Sequence, residues 1–337
     1  MTSKNSNMED GFDLSVLPEP TLPRDVIVTL LGFGENDRVI EFGEIVMAHL
    51  RGISRYVSLE RLAGVFVTTD LRAALENIDH GYDNPPQLTY TDNEQLRCAA
   101  KSVTVARRGI AHIHIVYDAQ FIAALTNPQD EHYDMALHIL AHECGHVAEM
   151  TWRDLAFPRL VMRRGYPNVV EALLRGTADV CWEEYAVCRL TARFGNAEEL
   201  KSQYSTSVAA VVSSGLESAN TSVAMYRLSG DLDALLHEAG SALCEPLRII
   251  AYLLGHLDGT EDDTAIEVIC PALSSSPFLS VFSTVRDALR VIWDSRLDWQ
   301  DDSVVFSDLR SSAEEAMRIC GITFEPLTDG GTYVHVR

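Results

Sequence analysis

The period of hydrophobic and polar positions changes several times along the chain. Over residues 37–50, Val39, Ile40, Phe42, Ile45, Val46 and Leu50 recur at helical spacing and the pattern stops near Gly52, which predicts an amphipathic helix. Residues 65–69 (VFVTT) read as a strand, 70–78 as a short helix and 80–86 (HGYDNPP) as a turn-rich loop. The period then drops to two. Residues 102–106 and 111–117, separated by Arg107, Arg108, Gly109 and Ile110, predict a β-hairpin. Its second strand sets His112, His114 and Val116 against Ile113, Ile115 and Tyr117, so one face is expected to be buried and the other polar.

From residue 131 the helical period returns. Met135, Leu137, Ile139, Leu140, Ala141, Val147 and Ala148 predict a helix to about residue 150, buried over much of its girth. Residues 151–168 contain Pro158, Gly165 and Pro167 and read as a connecting loop, followed by a second helix from 169 or 170 to about 194, stopped by Gly195 and Asn196. Further helices are expected over 198–228, 231–257 and 277–293, with a closing strand at 332–336. The expected class is α+β: a small mixed or antiparallel sheet packed on the helix near 131–150, with a mostly helical C-terminal region. Residues 1–36, which carry Pro18, Pro20 and Pro23, are expected to be a flexible segment, 37–196 a domain holding the sheet, and 197–337 the helical region. No internal repeat is visible.

Composition narrows the class without naming a function. The 337 residues are 47% hydrophobic and 23% charged, within the globular range. Lys and Arg number 27 against 49 Asp and Glu, a net charge of −22 that would repel a phosphate backbone, so no direct nucleic-acid partner is expected. The first 25 residues lack a basic stretch followed by an apolar one. The most apolar run, 247–257, contains Arg248 and His256 and falls short of the roughly 20 residues of a membrane-spanning helix. Seven cysteines, odd in number and scattered among apolar neighbours, fit reduced core thiols. The expectation is a cytoplasmic, disulfide-free protein without a membrane span.

One motif carries chemistry: His142-Glu143-Cys144-Gly145-His146, H-E-x-x-H inside a predicted helix. Residues four apart share a helical face, with Cβ atoms about 5–6 Å apart, so both imidazoles can converge on one Zn²⁺. Glu143, rotated about 100° from His142, fits a general base rather than a ligand. Gly145 leaves room for a close approach of backbone or substrate. The pattern also arises by accident, in which case His142 and His146 are polar surface or core residues. A catalytic zinc needs a third protein ligand. The candidates are Glu171, Asp179, Glu183 and Glu184. If Ala178, Cys181, Trp182, Tyr185, Arg189 and Ala192 form the packed face, Glu183 points nearly opposite and Glu184 lies at the margin. Glu184 is therefore the preferred ligand, with Glu171 the chief alternative.

HECGH followed by Glu184 in the downstream W-E-E-Y-A-V-C-R resembles the gluzincin branch of zinc metallopeptidases. Small bacterial stress and phage-related peptidases of the ImmA/IrrE type are the nearest, weaker likeness. The resemblance spans residues 102–195, and no N-E-x-x-A-D sequence accompanies it. It implies hydrolysis of peptide bonds in a protein or peptide substrate, with His142, His146 and Glu184 as metal ligands, Glu143 as general base and the strand before the helix as the edge along which substrate aligns. Tyr133, Tyr185, Arg189 and His237 are chemically able to stabilise an oxyanion, and sequence alone assigns none of them. His138, one turn before His142, is expected to lie beside the site or on the surface. Cys144, Cys181 and Cys188 are expected to be core thiols. Arg153, Arg159, Arg163 and Arg164 form a basic cluster expected to be solvated. A different class of function keeps the metal without turnover: a zinc-stabilised regulatory or interaction protein.

Overall fold

The computed structural model describes residues 17–34, 37–82, 98–158, 162, 165–328 and 330–337. The chain opens with β1 (Val28–Leu31), α1 (Asp37–Ile53), β2 (Leu62–Thr68), α2 (Leu71–Glu76), β3 (Ala100–Arg107), β4 (Ile110–Asp118) and α3 (Ala119–Ile122). The strands form one mixed sheet in the order β1-β2-β4-β3, in which β1, β2 and β4 are parallel and β3 runs antiparallel to β4. The predicted hairpin is β3 and β4. Its two-residue turn places Arg108 at φ 55° and Gly109 at φ 79°, both positive, the geometry whose twist matches the flanking strands.

Two expectations about the sheet change. Residues 111–117 lie inside it, between β2 and β3, and the edge strands are β1 and β3. The second face of β4 is also less polar than its alternation implies: His112 and His114 are half-buried, and Val116 is fully buried in a small core with Leu71, Leu75, Val103 and Val105, because α2 covers that side. The segment expected to be flexible contributes too. Val28 to Leu31 pair with β2, and Thr21 Oγ1 donates to Ser54 O at 2.8 Å, tying residues 17–34 to the body of the protein. Residues 1–16, 35 and 36 lie outside the described part, as do 83–86 of the predicted loop.

The helical part follows as α4 (Tyr133–Ala156), α5 (Val169–Thr191), α6 (Ala197–Ser229), α7 (Leu232–Gly259), α8 (Ile266–Ile269), α9 (Phe278–Asp294), α10 (Asp302–Val305) and α11 (Ser307–Ile319), closed by an antiparallel pair, β5 (Ile322–Pro326) and β6 (Thr332–Val336). The fold is α+β with a mostly helical C-terminal region, and the strand expected at 332–336 is β6. Asn168, Asn196 and Asp231 cap α5, α6 and α7 by accepting from the backbone N–H three residues on. α4 continues to Ala156, past the expected end near residue 150. Among the described residues no helix is long and apolar enough to cross a membrane.

Two large cores meet at α4 and α5. One joins the sheet, α1 and the buried stripe of α4 that includes Leu140, Cys144 and Val147. The other joins Leu174, Trp182 and Ala186 of α5 to α7, α9 and α11. The two cores are thus divided between α4, which packs on the sheet, and α5, which packs on the later helices. α5 belongs to the helical core while its other side touches α4.

Candidate metal centre

α4 is held against the sheet by Tyr117, whose buried hydroxyl donates to Leu140 O at 2.8 Å, two residues before the motif. Gly145 then sets how closely α5 can approach. A Cβ there would stand 2.8 Å from Val187 Cγ1 and 3.3 Å from Val187 Cα, so the two helices cross at a distance that only glycine permits without a shift. The expected close approach is thus one of backbone. It brings Glu184, less than one turn before Val187, over the histidine pair.

His142, His146 and Glu184 come together, with one donor atom from each lying within 4.8 Å of the others. Glu184 Oε2 is 3.4 Å from His142 Nε2, near the separation of about 3.3 Å expected between two ligands of a tetrahedral zinc with bonds of about 2.0–2.1 Å. The imidazole centroids of His142 and His146 are 5.1 Å apart, with the rings nearly perpendicular. All three side chains are only 11–13% exposed.

Among the described residues, Glu184 Oε2 is buried here with no hydrogen-bond partner, while His146 Nδ1 faces only Glu183. A buried polar atom left unpaired is costly unless something satisfies it. The electrostatics favour a cation. Burial opposes charge on His146, but the carboxylates of Glu183, Glu143 and Glu184 outweigh it and raise the ring to about 9. Burial likewise works against the Glu184 carboxylate, yet His142 and His146 hold it below the usual carboxylate range. Two imidazoles and a carboxylate form a donor set that suits zinc.

Glu143 lies outside this donor set. Its Oε2 accepts a 2.7 Å hydrogen bond from Ser102 Oγ on β3, and it is largely buried between the helix and the edge strand. The other acids expected as candidate ligands divide sharply. Glu171 is paired with Arg310 at the far end of α5, and Asp179 accepts from Tyr166 at 2.8 Å. Glu183 does not point away from the site as the helical wheel implies: Oε1 stands 3.0 Å from His146 Nδ1, and Oε2 accepts from Arg153 Nη2 at 3.4 Å.

None of the four side chains considered for an oxyanion touches the donor atoms. Tyr185 donates to Asp258 at 2.7 Å and accepts from Arg189, Tyr133 bonds His49 at 2.9 Å, and His237 is exposed. The aromatic beside the metal donors is instead Tyr252 of α7, stacked on His142 with ring centroids 5.7 Å apart and planes within 6°. Burial first, then the Glu184 carboxylate, pushes its phenol well above the usual range. Ser102 and Tyr252 were not marked by the sequence, because one is read only from sheet register and the other only from how α7, packed on α5 and α6, brings Tyr252 over His142.

His138 is buried beside the site rather than on the surface, with Nε2 2.9 Å from Tyr204 Oη; burial, then His142 and His256, lowers it to about 3, so it is neutral. Cys144, Cys181 and Cys188 are buried free thiols, and burial pushes Cys144 up to about 12. Of the basic cluster, Arg159, Arg163 and Arg164 lie outside the described residues. Arg153 is not solvated: it is buried and donates to Glu149 at 2.7 Å. Comparison with family models, curated proteins and solved structures found no match to this chain.

Proposed function

We propose that the protein is a zinc-dependent peptidase of the gluzincin type, acting on a protein or peptide in the cytoplasm, with His142, His146 and Glu184 holding Zn²⁺ and Glu143 as general base. The observation that carries this is the convergence of two imidazoles and a carboxylate, with the buried Glu184 Oε2 lacking any hydrogen bond, next to Glu143 at the edge strand of the sheet. When bound, Zn²⁺ supplies Lewis acidity towards a carbonyl oxygen and makes a water acidic enough to lose its proton near neutrality. Ser102 engages Oε2 of Glu143, which leaves Oε1 to take that proton and deliver it to the departing amine. Among the described residues β3 has a strand on one side only; His80 takes up its outer edge at Thr104 and Ala106, which leaves the stretch around Ser102, beside Glu143, as the place for an extended peptide to pair. The seven free thiols fit a reducing compartment.

A second reading, a zinc-stabilised regulatory protein without turnover, draws support from the enclosure of the donors beneath α7. Glu143→Gln separates the two. The peptidase reading predicts that this variant keeps its zinc while cells carrying it lose the new peptide termini found with the wild type. Equal sets of termini in both would overturn it.

A further inference from the structure

Resting on the metal-centre reading, a second carboxylate has a distinct role. Glu183 and Glu184 are neighbours on α5, yet each faces a different imidazole: Glu184 approaches His142 at 3.4 Å and Glu183 approaches His146 at 3.0 Å. Neighbouring helical positions differ by about 100°, so both can face α4 only because α5 lies directly across it at Gly145. The two carboxylates differ in their support. Glu184 Oε2 has no hydrogen bond, whereas Glu183 Oε2 accepts from Arg153 Nη2 at 3.4 Å. Arg153 is itself fixed: its Nε donates to Glu149 Oε1 at 2.7 Å, and the same oxygen accepts from Trp182 Nε1 at 2.8 Å. Glu149, Arg153 and Trp182 are all buried. This chain joins α4 and α5 beyond His146 and ends on Glu183 Oε2, leaving the other carboxylate oxygen, Oε1, towards the His146 ring.

A buried ion network of this kind is a costly way to join two helices, since apolar residues of similar volume would do so as well or better. A role for it is to hold a charged group in one place beside a functional ring. Metal-binding histidines are commonly oriented by a carboxylate on the ring nitrogen that does not bind the metal, which fixes both tautomer and ring direction. His146 Nδ1 is 3.0 Å from Glu183 Oε1, within hydrogen-bond distance, and no other group among the described residues engages that nitrogen. We propose that Glu183, held by the buried Arg153, Glu149 and Trp182, is the positioning residue for His146: it takes Nδ1–H and leaves Nε2 to the metal. Glu184 remains the ligand.

The test is Zn²⁺ affinity by chelator competition on the full chain, with Glu183→Gln and Glu183→Ala beside the wild type. Loss of the positioning carboxylate is expected to weaken binding by about 10–100-fold, less in the Gln variant, which keeps an oxygen acceptor, than in the Ala variant. Glu183→Gln preserves shape and gives the answer if the Ala variant does not fold. A purely structural role would lower the melting temperature of the metal-free protein without this graded loss. Long-range ¹H–¹⁵N spectra of the zinc-loaded wild type should show His146 protonated at Nδ1 and metal-bound through Nε2. Wild-type affinity in both variants, or zinc on Nδ1, overturns the assignment. A wild type that binds no zinc at all defeats instead the metal-centre reading on which it rests.

Discussion

Gly145→Ala tests the crossing on which the centre depends. In an exposed helix the change would stabilise by about 1 kcal/mol, because alanine has the higher helix propensity. Here the added Cβ meets Val187 Cγ1 at 2.8 Å, Thr191 Cγ2 at 3.2 Å and Val187 Cα at 3.3 Å. Valine in a helix is nearly confined to one rotamer, and a backbone carbon cannot step aside unless α5 moves. Overpacking of this sort costs about 1–3 kcal/mol. The balance is a net loss of about 1 kcal/mol, opposite in sign to the propensity effect. The assay is urea unfolding of the metal-free protein at constant m, as a cycle with Val187→Ala. In the Val187→Ala background the Cγ1 contact is gone while those to the residue 187 Cα and Thr191 Cγ2 remain, so the loss from Gly145→Ala should shrink, giving a coupling of about 1 kcal/mol between the two sites. A Gly145→Ala protein more stable than wild type, by the same amount in both backgrounds, would refute the tight crossing.

Two further changes probe neighbouring parts. Asp258 is buried and accepts from Arg290 at 2.7 Å, Arg286 at 3.2 Å and Tyr185 at 2.7 Å; burial opposes its charge, but these partners hold its carboxyl below the usual range. Because its folded pKa is depressed, the stabilisation it provides is complete above the unfolded value of about 3.9 and is lost as pH falls through the folded value. Asp258→Asn should therefore cost about 2–4 kcal/mol at pH 7 and flatten the acid side of the stability profile below about pH 4, as read by urea unfolding across pH; an unchanged acid slope would contradict this. Ser102→Ala removes the hydrogen bond to Glu143 and should lower peptidase turnover while zinc content stays at the wild-type level and stability falls by about 1 kcal/mol. Lost zinc in that variant would mean that Ser102 shapes the donor set rather than the base.

The long periodic elements were legible in the sequence, as were the short β2, α2 and β6, whereas β1 and α11 were not. α4 and α5 announce themselves by apolar spacing and, for α5, by the Asn168 cap, and the hairpin by its alternation and by Arg108-Gly109. β1 has only four residues, too few to show a period. α11 buries Leu309, Ser312, Ala313, Ala316 and Met317 at helical spacing, but small residues carry much of that face, so few large apolar side chains mark it in a largely polar segment. The wheel preferred Glu184 to Glu171, and Glu184 is the one of the two that lies beside the histidines, yet it misplaced Glu183. It assumed one packed face and one wet face, whereas at that turn α5 is covered by α4 on one side and by the helical core on the other. Tyr252 left no trace in the sequence because its place over His142 depends on the packing of α7 across the site.

The most direct measurement is zinc per chain in protein purified without added metal and then titrated with Zn²⁺, for the wild type and for His142→Ala, Glu184→Ala and Glu171→Ala. One tightly held zinc in the wild type and in Glu171→Ala, lost in the other two, is the predicted result. A wild type that neither carries nor takes up one equivalent, or a Glu184→Ala protein that holds zinc as well as the wild type, would contradict it.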